Sequence, residues 1–158
     1  IVSDTCEFIF LNRSSNSNGS VVSIWSDGAW LSTGPGPCTS QQRKLGKKVR
    51  HIFRELILLL DPSYAAITID GSLQTVEELR SDSRSLAFSD FYLSKKFISR
   101  SLTTAFATKF SSFHQESIGK GQLFLCSAYL VDKGVDVASQ MRYNACGFVA
   151  REIAGCPG

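Results

Sequence analysis

The sequence has no apolar stretch long enough to cross a bilayer. A membrane-spanning helix needs roughly 18 or more apolar residues in a row, and the longest candidate, residues 55–69, is interrupted by Asp61 and Pro62. Charged residues make up only 20% of the 158 residues, and the net charge is +3. So small an excess does not by itself indicate a nucleic-acid-binding protein. The composition therefore predicts a soluble globular chain with no membrane partner.

Residues that bind metal ions are scarce. The two histidines, His51 and His114, lie far apart, and no C-x-x-C pair is present, so we predict no metal site and no cofactor. The cysteines are odd in number and irregularly spaced: Cys6, Cys38, Cys126, Cys146 and Cys156. This pattern favours reduced thiols in a cytoplasmic protein. Two N-x-S sequences, at Asn12 and Asn18, keep open the alternative of a secreted domain with one or two disulfides.

No motif typical of a nucleophilic or phosphate-handling enzyme occurs. The G-x-S-x-G, P-loop, G-x-G-x-x-G and H-E-x-x-H patterns are all missing. The sequence "GPGPC" (34–38) is predicted as a turn, because its two prolines lack the N–H donors that a phosphate loop needs. Cys38 precedes a predicted helix, where a thiolate is favoured. His51 lies about 18 Å along that helix and cannot reach it, so a small enzyme using Cys38 or another cysteine with His114 remains an alternative.

The N-terminal segment carries the signals of an antiparallel β-meander. Residues 5–13 are rich in aromatic and β-branched side chains, and "SSNSNGS" (14–20) has the composition of a turn. The stretches "VVSIWS" and "AWLST" flank Asp27 and Gly28, a pair typical of tight hairpin turns.

A long amphipathic helix is predicted over about residues 40–60. Thr39 or Ser40 can cap its start, and Asp61-Pro62 ends it. Apolar residues recur at helical spacing, and we expect six of them to be buried against a sheet: Leu45, Val49, Ile52, Phe53, Leu56 and Leu60. The side that carries Lys47, Arg50 and Arg54 is expected to stay in water.

The remaining chain alternates predicted strands and helices. Strands are expected at 64–70, 85–94 and 122–131, the last of them central in the sheet, and a helical turn at 75–79. Further helices are predicted around the stripe from Ile98 to Phe113 and from about Asp136, and "HQESIGKG" (114–121) is predicted to break the first of these two helices. Asp82 and Asp90 are expected in solvated loops. This order predicts an α+β fold in a single globular domain (1–158), with a mainly antiparallel sheet and three helices packed on it.

Positive charge is concentrated on the long helix. Six basic residues form the candidate partner-binding surface: Arg43, Lys44, Lys47, Lys48, Arg50 and Arg54. Residues 61–90 hold six acids and two arginines, so the chain is dipolar. A surface of this kind can steer an oppositely charged protein or nucleic acid. Because no aromatic residues are interleaved with the basic ones, a protein partner is preferred. An ordinary solvated helix face remains the alternative.

The passage "LLLDPSYAAITIDGSLQTVEELRSDSRSLAFSDFYLS" (58–94) resembles small bacterial immunity proteins of polymorphic toxin systems, particularly the immunity protein 52 type. The resemblance lies in a helix followed by "DPSYAAI", an acidic turn and "FSDFY". It implies a compact α+β protein that binds and neutralises a toxin, and it assigns no site residue. With no catalytic set present, we predict a non-enzymatic protein that binds another macromolecule, a protein in preference to nucleic acid.

Overall fold

The core of the protein is a four-stranded antiparallel sheet with a helix on each face. The computed structural model describes residues 10–16, 19–25, 38–67, 90–96, 100–127, 130–131, 141, 144–145 and 148. Its elements are β1 (Phe10–Asn16), β2 (Gly19–Trp25), α1 (Ser40–Leu60), β3 (Tyr64–Ile67), β4 (Asp90–Ser94), α2 (Arg100–Lys109), β5 (His114–Ile118) and β6 (Gly121–Leu125). The sheet order is β3-β4-β6-β5. The predicted α+β class with a mainly antiparallel sheet is confirmed.

The strands β1 and β2 form a separate antiparallel hairpin. Their register pairs Phe10 with Trp25 and Asn16 with Gly19. The sequence prediction placed residues 14–20 in a turn, whereas 14–16 continue β1 and 19–20 begin β2; residues 17 and 18 lie outside the described residues. The predicted turn at Asp27-Gly28 and the strand after it lie outside the described residues.

The two interior strands, β4 and β6, are buried on both faces. Alternate side chains of these strands belong to two different hydrophobic clusters, one on each face of the sheet. Both faces of β6 are therefore apolar, which explains why its sequence is a continuous apolar run and not an alternation of apolar and polar residues. The α1-side cluster contains Phe53, Ile57, Tyr92, Ile118, Leu123, Leu125, Leu130 and Val131. The α2-side cluster contains Phe91, Leu93, Phe106, Phe110, Phe113, Phe124, Cys126 and Ala145. The prediction that 122–131 contains a central strand is confirmed.

The helix α1 has the bounds that its sequence predicts. Thr39 is the N-cap: its hydroxyl accepts from the Gln42 N–H at 3.2 Å, and the Gln42 side chain accepts from the Thr39 N–H at 2.7 Å. This reciprocal pair satisfies two N–H groups that have no partner within the helix. Asp61 adopts a left-handed conformation (φ 44°, ψ 54°) and donates its N–H to the Ile57 carbonyl, and there the helix stops.

The buried face of α1 differs in part from the predicted one. Its buried residues are Gly46, Phe53 and Ile57. The prediction is wrong for Ile52 and Leu60, which are 43% and 46% exposed. The apolar arc of this helix is wider than the strip that the sheet can cover, and the sequence alone does not fix which part of the arc faces inward.

The helix α2 supplies the opposite layer through an aromatic cluster. Phe106 is 1% exposed and meets the rings of Phe110, Phe113 and Phe124 at centroid distances of 4.5–5.5 Å. Phe110 and Phe113 lie just after the helix end, so the predicted stripe continues into a turn. The predicted turn at 75–79 and most of the helix from Asp136 lie outside the described residues; residues 141, 144, 145 and 148 are helical.

The predicted end of the second helical stripe at 114–121 is confirmed, since α2 ends at Lys109, and this segment forms β5 and the turn into β6. Its polar residues suit an edge strand that is half-exposed. Gly119 turns the chain with φ +52°. A Cβ on Gly121 would overlap the Leu93 carbonyl oxygen and lie 2.6 Å from the Tyr92 ring. Glycine at 121 is therefore what lets β6 lie close against β4.

Asp90, predicted in a solvated loop, is fully buried at the start of β4. Its carboxylate accepts from the N–H groups of Cys126 and Ser127 at 2.8 and 3.1 Å and from the Ser127 hydroxyl. These bonds provide an acceptor for the backbone N–H groups just after β6, where the hydrogen bonds between the strands have ended. Asp90 therefore holds the chain at its exit from the centre of the sheet.

The C-terminal end of α1 carries a small charged cluster. Lys120, in the β5–β6 turn, forms an ion pair with Asp61. The Tyr92 side chain is buried nearby, and this burial, with a smaller contribution from the Asp61 charge, raises the pKa of Tyr92 above its ordinary 10.0. The hydrogen bond with Asp61 raises the pKa of Lys120. Both groups therefore hold their protons more tightly in the folded chain than in the unfolded one.

We expect this difference to make the protein lose stability in alkaline solution. A group whose pKa is raised by folding stabilises the fold below its unfolded pKa, and that contribution is lost as pH rises through the folded value. The free energy of unfolding, measured by urea denaturation, should fall above about pH 10. The fall should be smaller in Tyr92→Phe, which removes one of the two groups. An equal fall in both proteins would contradict this assignment.

Candidate partner-binding site

A cleft of about 520 Å³ lies beside the first turns of α1. It is lined by Cys38, Ser40, Arg43, Lys44, Lys47, Leu130 and Val131. The three basic residues, Arg43, Lys44 and Lys47, are exposed and are called the rim cations below. Leu130 and Val131 are 2% and 6% exposed and belong to the α1-side cluster. The site thus combines a positive rim with an apolar floor.

The helix geometry brings the rim cations together. Arg43 and Lys47 are four residues apart and lie one above the other on the helix surface, with Lys44 beside them. The floor comes from the chain after β6, which Asp90 holds at Ser127. Arg50 also reaches this segment, since its guanidinium donates to the Leu130 carbonyl at 3.4 Å. The floor is therefore fixed to both the sheet and the helix.

The first turns of α1 place exposed positive charge beside the positive end of the helix macrodipole. The first turn contains no acidic residue, although a helix N-terminus carries the positive end of the macrodipole. A cation in the first turn, such as Arg43, destabilises the helix by roughly 0.3–1 kcal/mol by the same rule. A bound carboxylate would reduce the repulsion among the rim cations and would also interact favourably with the positive end of the helix dipole. The arrangement therefore favours a negatively charged ligand.

Two of the six predicted residues have another role. Arg50 and Arg54 both pair with Glu116 on β5, Arg50 through a contact of 3.0 Å. Their side chains are 21% and 35% exposed. The expectation that they stay in water is therefore wrong: they fasten α1 to the edge strand. The sequence could not reveal this, because Glu116 lies in the segment that was predicted as a break.

Lys48, the sixth candidate, is exposed but does not line the cleft. It follows Lys47 by one residue, which places it roughly 100° around the helix axis. The predicted surface thus divides into three rim cations, two arginines bound to the sheet, and Lys48 on the outer side. The structure brings only Arg43, Lys44 and Lys47 together.

The geometry disfavours the alternative site of Cys38 with His114. Cys38 packs against the α1-side cluster. His114 pairs with Leu125 and so shares the α1 side of the sheet. Glu116 is level with Arg50 and Arg54, so Cys38 lies roughly 21 Å away along the helix. His114 lies only about 7 Å from Glu116 along β5. The remaining separation, roughly 14 Å, is too large for a Cys–His pair.

The other cysteines offer His114 no better partner among the described residues. Cys126 is fully buried on the α2 side of the sheet, away from His114. Within the described part of the chain, neither Cys38 nor Cys126 is in a disulfide, while Cys6, Cys146 and Cys156 lie outside the described residues. The secreted, disulfide-containing alternative therefore stays a prediction.

In the part of the chain that the structure describes, no three His, Cys, Asp or Glu residues converge as metal ligands would, and no helix has the length and apolarity to span a bilayer. No protein-family model, curated protein or solved structure matches this sequence.

Proposed function

We propose that this protein is a non-enzymatic binding protein whose cleft beside α1 receives an acidic surface of a partner protein. The observation that carries the proposal is the set of three exposed rim cations around an apolar floor. Charged rims steer a partner and select it, while a desolvated apolar centre supplies affinity. A toxin-neutralising immunity protein, which the sequence resembles, would work through such a surface.

A protein partner fits this site better than nucleic acid does. A phosphate backbone is bound along an extended basic track, and single strands also stack on aromatic side chains. The rim cations occupy little more than one turn of helix, and none of the described residues that line the cleft is aromatic. Leu130 and Val131 offer instead a place for an apolar side chain flanked by carboxylates.

The test is capture of a partner by wild-type protein and by a variant that lacks the rim charges. We expect the product of the adjacent gene to form a complex with the wild type that survives nuclease treatment and size-exclusion chromatography. In Arg43→Gln/Lys44→Gln/Lys47→Gln, affinity at low salt should fall about tenfold or more, mainly through slower association that is less sensitive to salt. Stability should change little, because the replaced charges are exposed.

A matched control removes three exposed charges outside the cleft. Lys48, Lys95 and Lys96 are exposed and do not line it. The variant Lys48→Gln/Lys95→Gln/Lys96→Gln has the same net charge as the rim variant and should keep most of the affinity. Equal loss in the two variants would show a nonspecific charge effect. That result, or a complex that nuclease destroys, or no complex with any protein, would overturn the proposal.

A further inference from the structure

The helix α1 carries a second apolar stripe, which is offset around the helix from its buried residues Phe53 and Ile57. Leu45, Val49, Ile52, Leu56 and Leu59 follow one another at intervals of four, three, four and three residues. That spacing has a mean period of 3.5 residues, which is the repeat by which one helix packs along another.

Much of this stripe is in water. Ile52 is 43% exposed and Leu59 is 79% exposed, while Leu45, Val49 and Leu56 are half-buried. The stripe lies roughly 110° around the helix axis from the face that packs on the sheet. Leu45 and Val49 also touch the α1-side cluster, so the exposed surface is concentrated in the C-terminal half of the helix. Ile52, Leu56 and Leu59 are neighbours on the helix surface, so their exposed parts lie side by side, and adjoining exposed apolar side chains are typical of an interface.

The charges beside the stripe indicate what covers it. Lys48 and Glu55 are both exposed and lie one heptad apart on its outer side, with Ile52 close to their midpoint. A twofold axis through Ile52 would therefore bring Lys48 of each copy to Glu55 of the other. Such self-complementarity is the requirement for an isologous dimer.

The same charges select the antiparallel arrangement. All six basic residues of α1 lie at or before Arg54, so parallel packing would set like charge against like charge. Antiparallel packing places the basic half of each helix beside the apolar half of the other and also opposes the two macrodipoles.

We infer that a second copy of this chain docks antiparallel on α1, through the stripe centred on Ile52, to form a symmetric dimer. The rim cations lie on the opposite flank of α1, so the cleft stays open in each copy. The inference does not depend on the proposed function, because it uses different residues and needs no other partner.

Sedimentation equilibrium tests the dimer directly. The wild type should approach twice its mass of 17.3 kDa as its concentration rises. Ile52→Glu/Leu59→Glu should weaken association at least tenfold while its circular dichroism and melting temperature stay close to those of the wild type, because both residues are exposed. A wild type that is monomeric at every concentration, or a variant that dimerises as tightly, would overturn the inference.

Charge exchange tests the orientation. Lys48→Glu and Glu55→Lys should each dimerise less tightly alone, because each sets like charges together at both contacts. Mixing these two variants should produce a heterodimer, and the double variant Lys48→Glu/Glu55→Lys should regain the wild-type affinity. Single variants that self-associate normally, or a mixture with no heterodimer, would rule out the antiparallel pairing.

Discussion

Replacing Phe106 by Ala should lower the free energy of unfolding by about 3–5 kcal/mol, which threatens folding at ordinary temperature. The Phe106 ring is 1% exposed and contacts the rings of Phe91, Phe110, Phe113, Phe124 and Phe148. Truncation removes this apolar burial and leaves a cavity that the five surrounding rings, which are packed against one another and the sheet, cannot collapse to fill. Chemical denaturation monitored by circular dichroism measures the loss.

Two further variants serve as controls for the stability loss measured in Phe106→Ala. Ala105 is the preceding residue of the same helix and is exposed, so Ala105→Ser should change stability by less than about 0.5 kcal/mol. Phe106→Leu keeps most of the volume and should fall between the wild type and Phe106→Ala. A loss below about 1 kcal/mol in Phe106→Ala would mean that this cluster is not the packed core described here.

Replacing Asp90 by Ala should be comparably damaging, with a loss of roughly 3 kcal/mol or more. The change removes the acceptor for the N–H groups of Cys126 and Ser127 and for the Ser127 hydroxyl. Each buried donor left without an acceptor costs about 1–3 kcal/mol, and the hydroxyl alone can rotate to another partner. The same variant should loosen the chain after β6, which supplies the cleft floor, and should therefore also weaken partner binding.

An isosteric substitution and a surface substitution serve as controls for Asp90→Ala. Asp90→Asn keeps one carbonyl oxygen to accept from the backbone and should lose clearly less stability than Asp90→Ala. Asp61→Asn, at an exposed carboxylate, should shift stability by only a few tenths of a kcal/mol. If Asp90→Ala and Asp61→Asn had similar effects, the buried hydrogen bonds would not hold the chain as described.

The sequence predicted the features whose signals lie within one stretch of chain, and it missed those that depend on residues distant in the sequence. The bounds of α1 follow from Thr39, Asp61 and the apolar periodicity, all within one stretch of chain, and the structure agrees with them. Its inward face depends on which neighbours the helix meets. The apolar pattern therefore predicted wrongly that Ile52 is buried, and it did not include Ile57, which is only 2% exposed.

The same distinction separates the predicted and the missed parts of the site. The rim cations are adjacent in sequence and were identified as a group. The cleft floor comes from Leu130 and Val131, more than 80 residues further along, and no local pattern connects them with Arg43. Asp90 lies among alternating residues of a strand, where nothing in the sequence distinguishes a buried carboxylate with three donors from an exposed one.

The strands β4 and β6 have a further consequence, because each sends alternate side chains into both clusters. Detaching α2 would expose Phe91 and Phe124, and detaching α1 would expose Tyr92 and Leu123, all of them on these two strands. Neither helix can therefore detach without exposing apolar side chains of the two strands on which the other helix packs. The two hydrophobic cores act as one cooperative folding unit, so the free energy that opposes local opening at the centre of the sheet is shared by both faces.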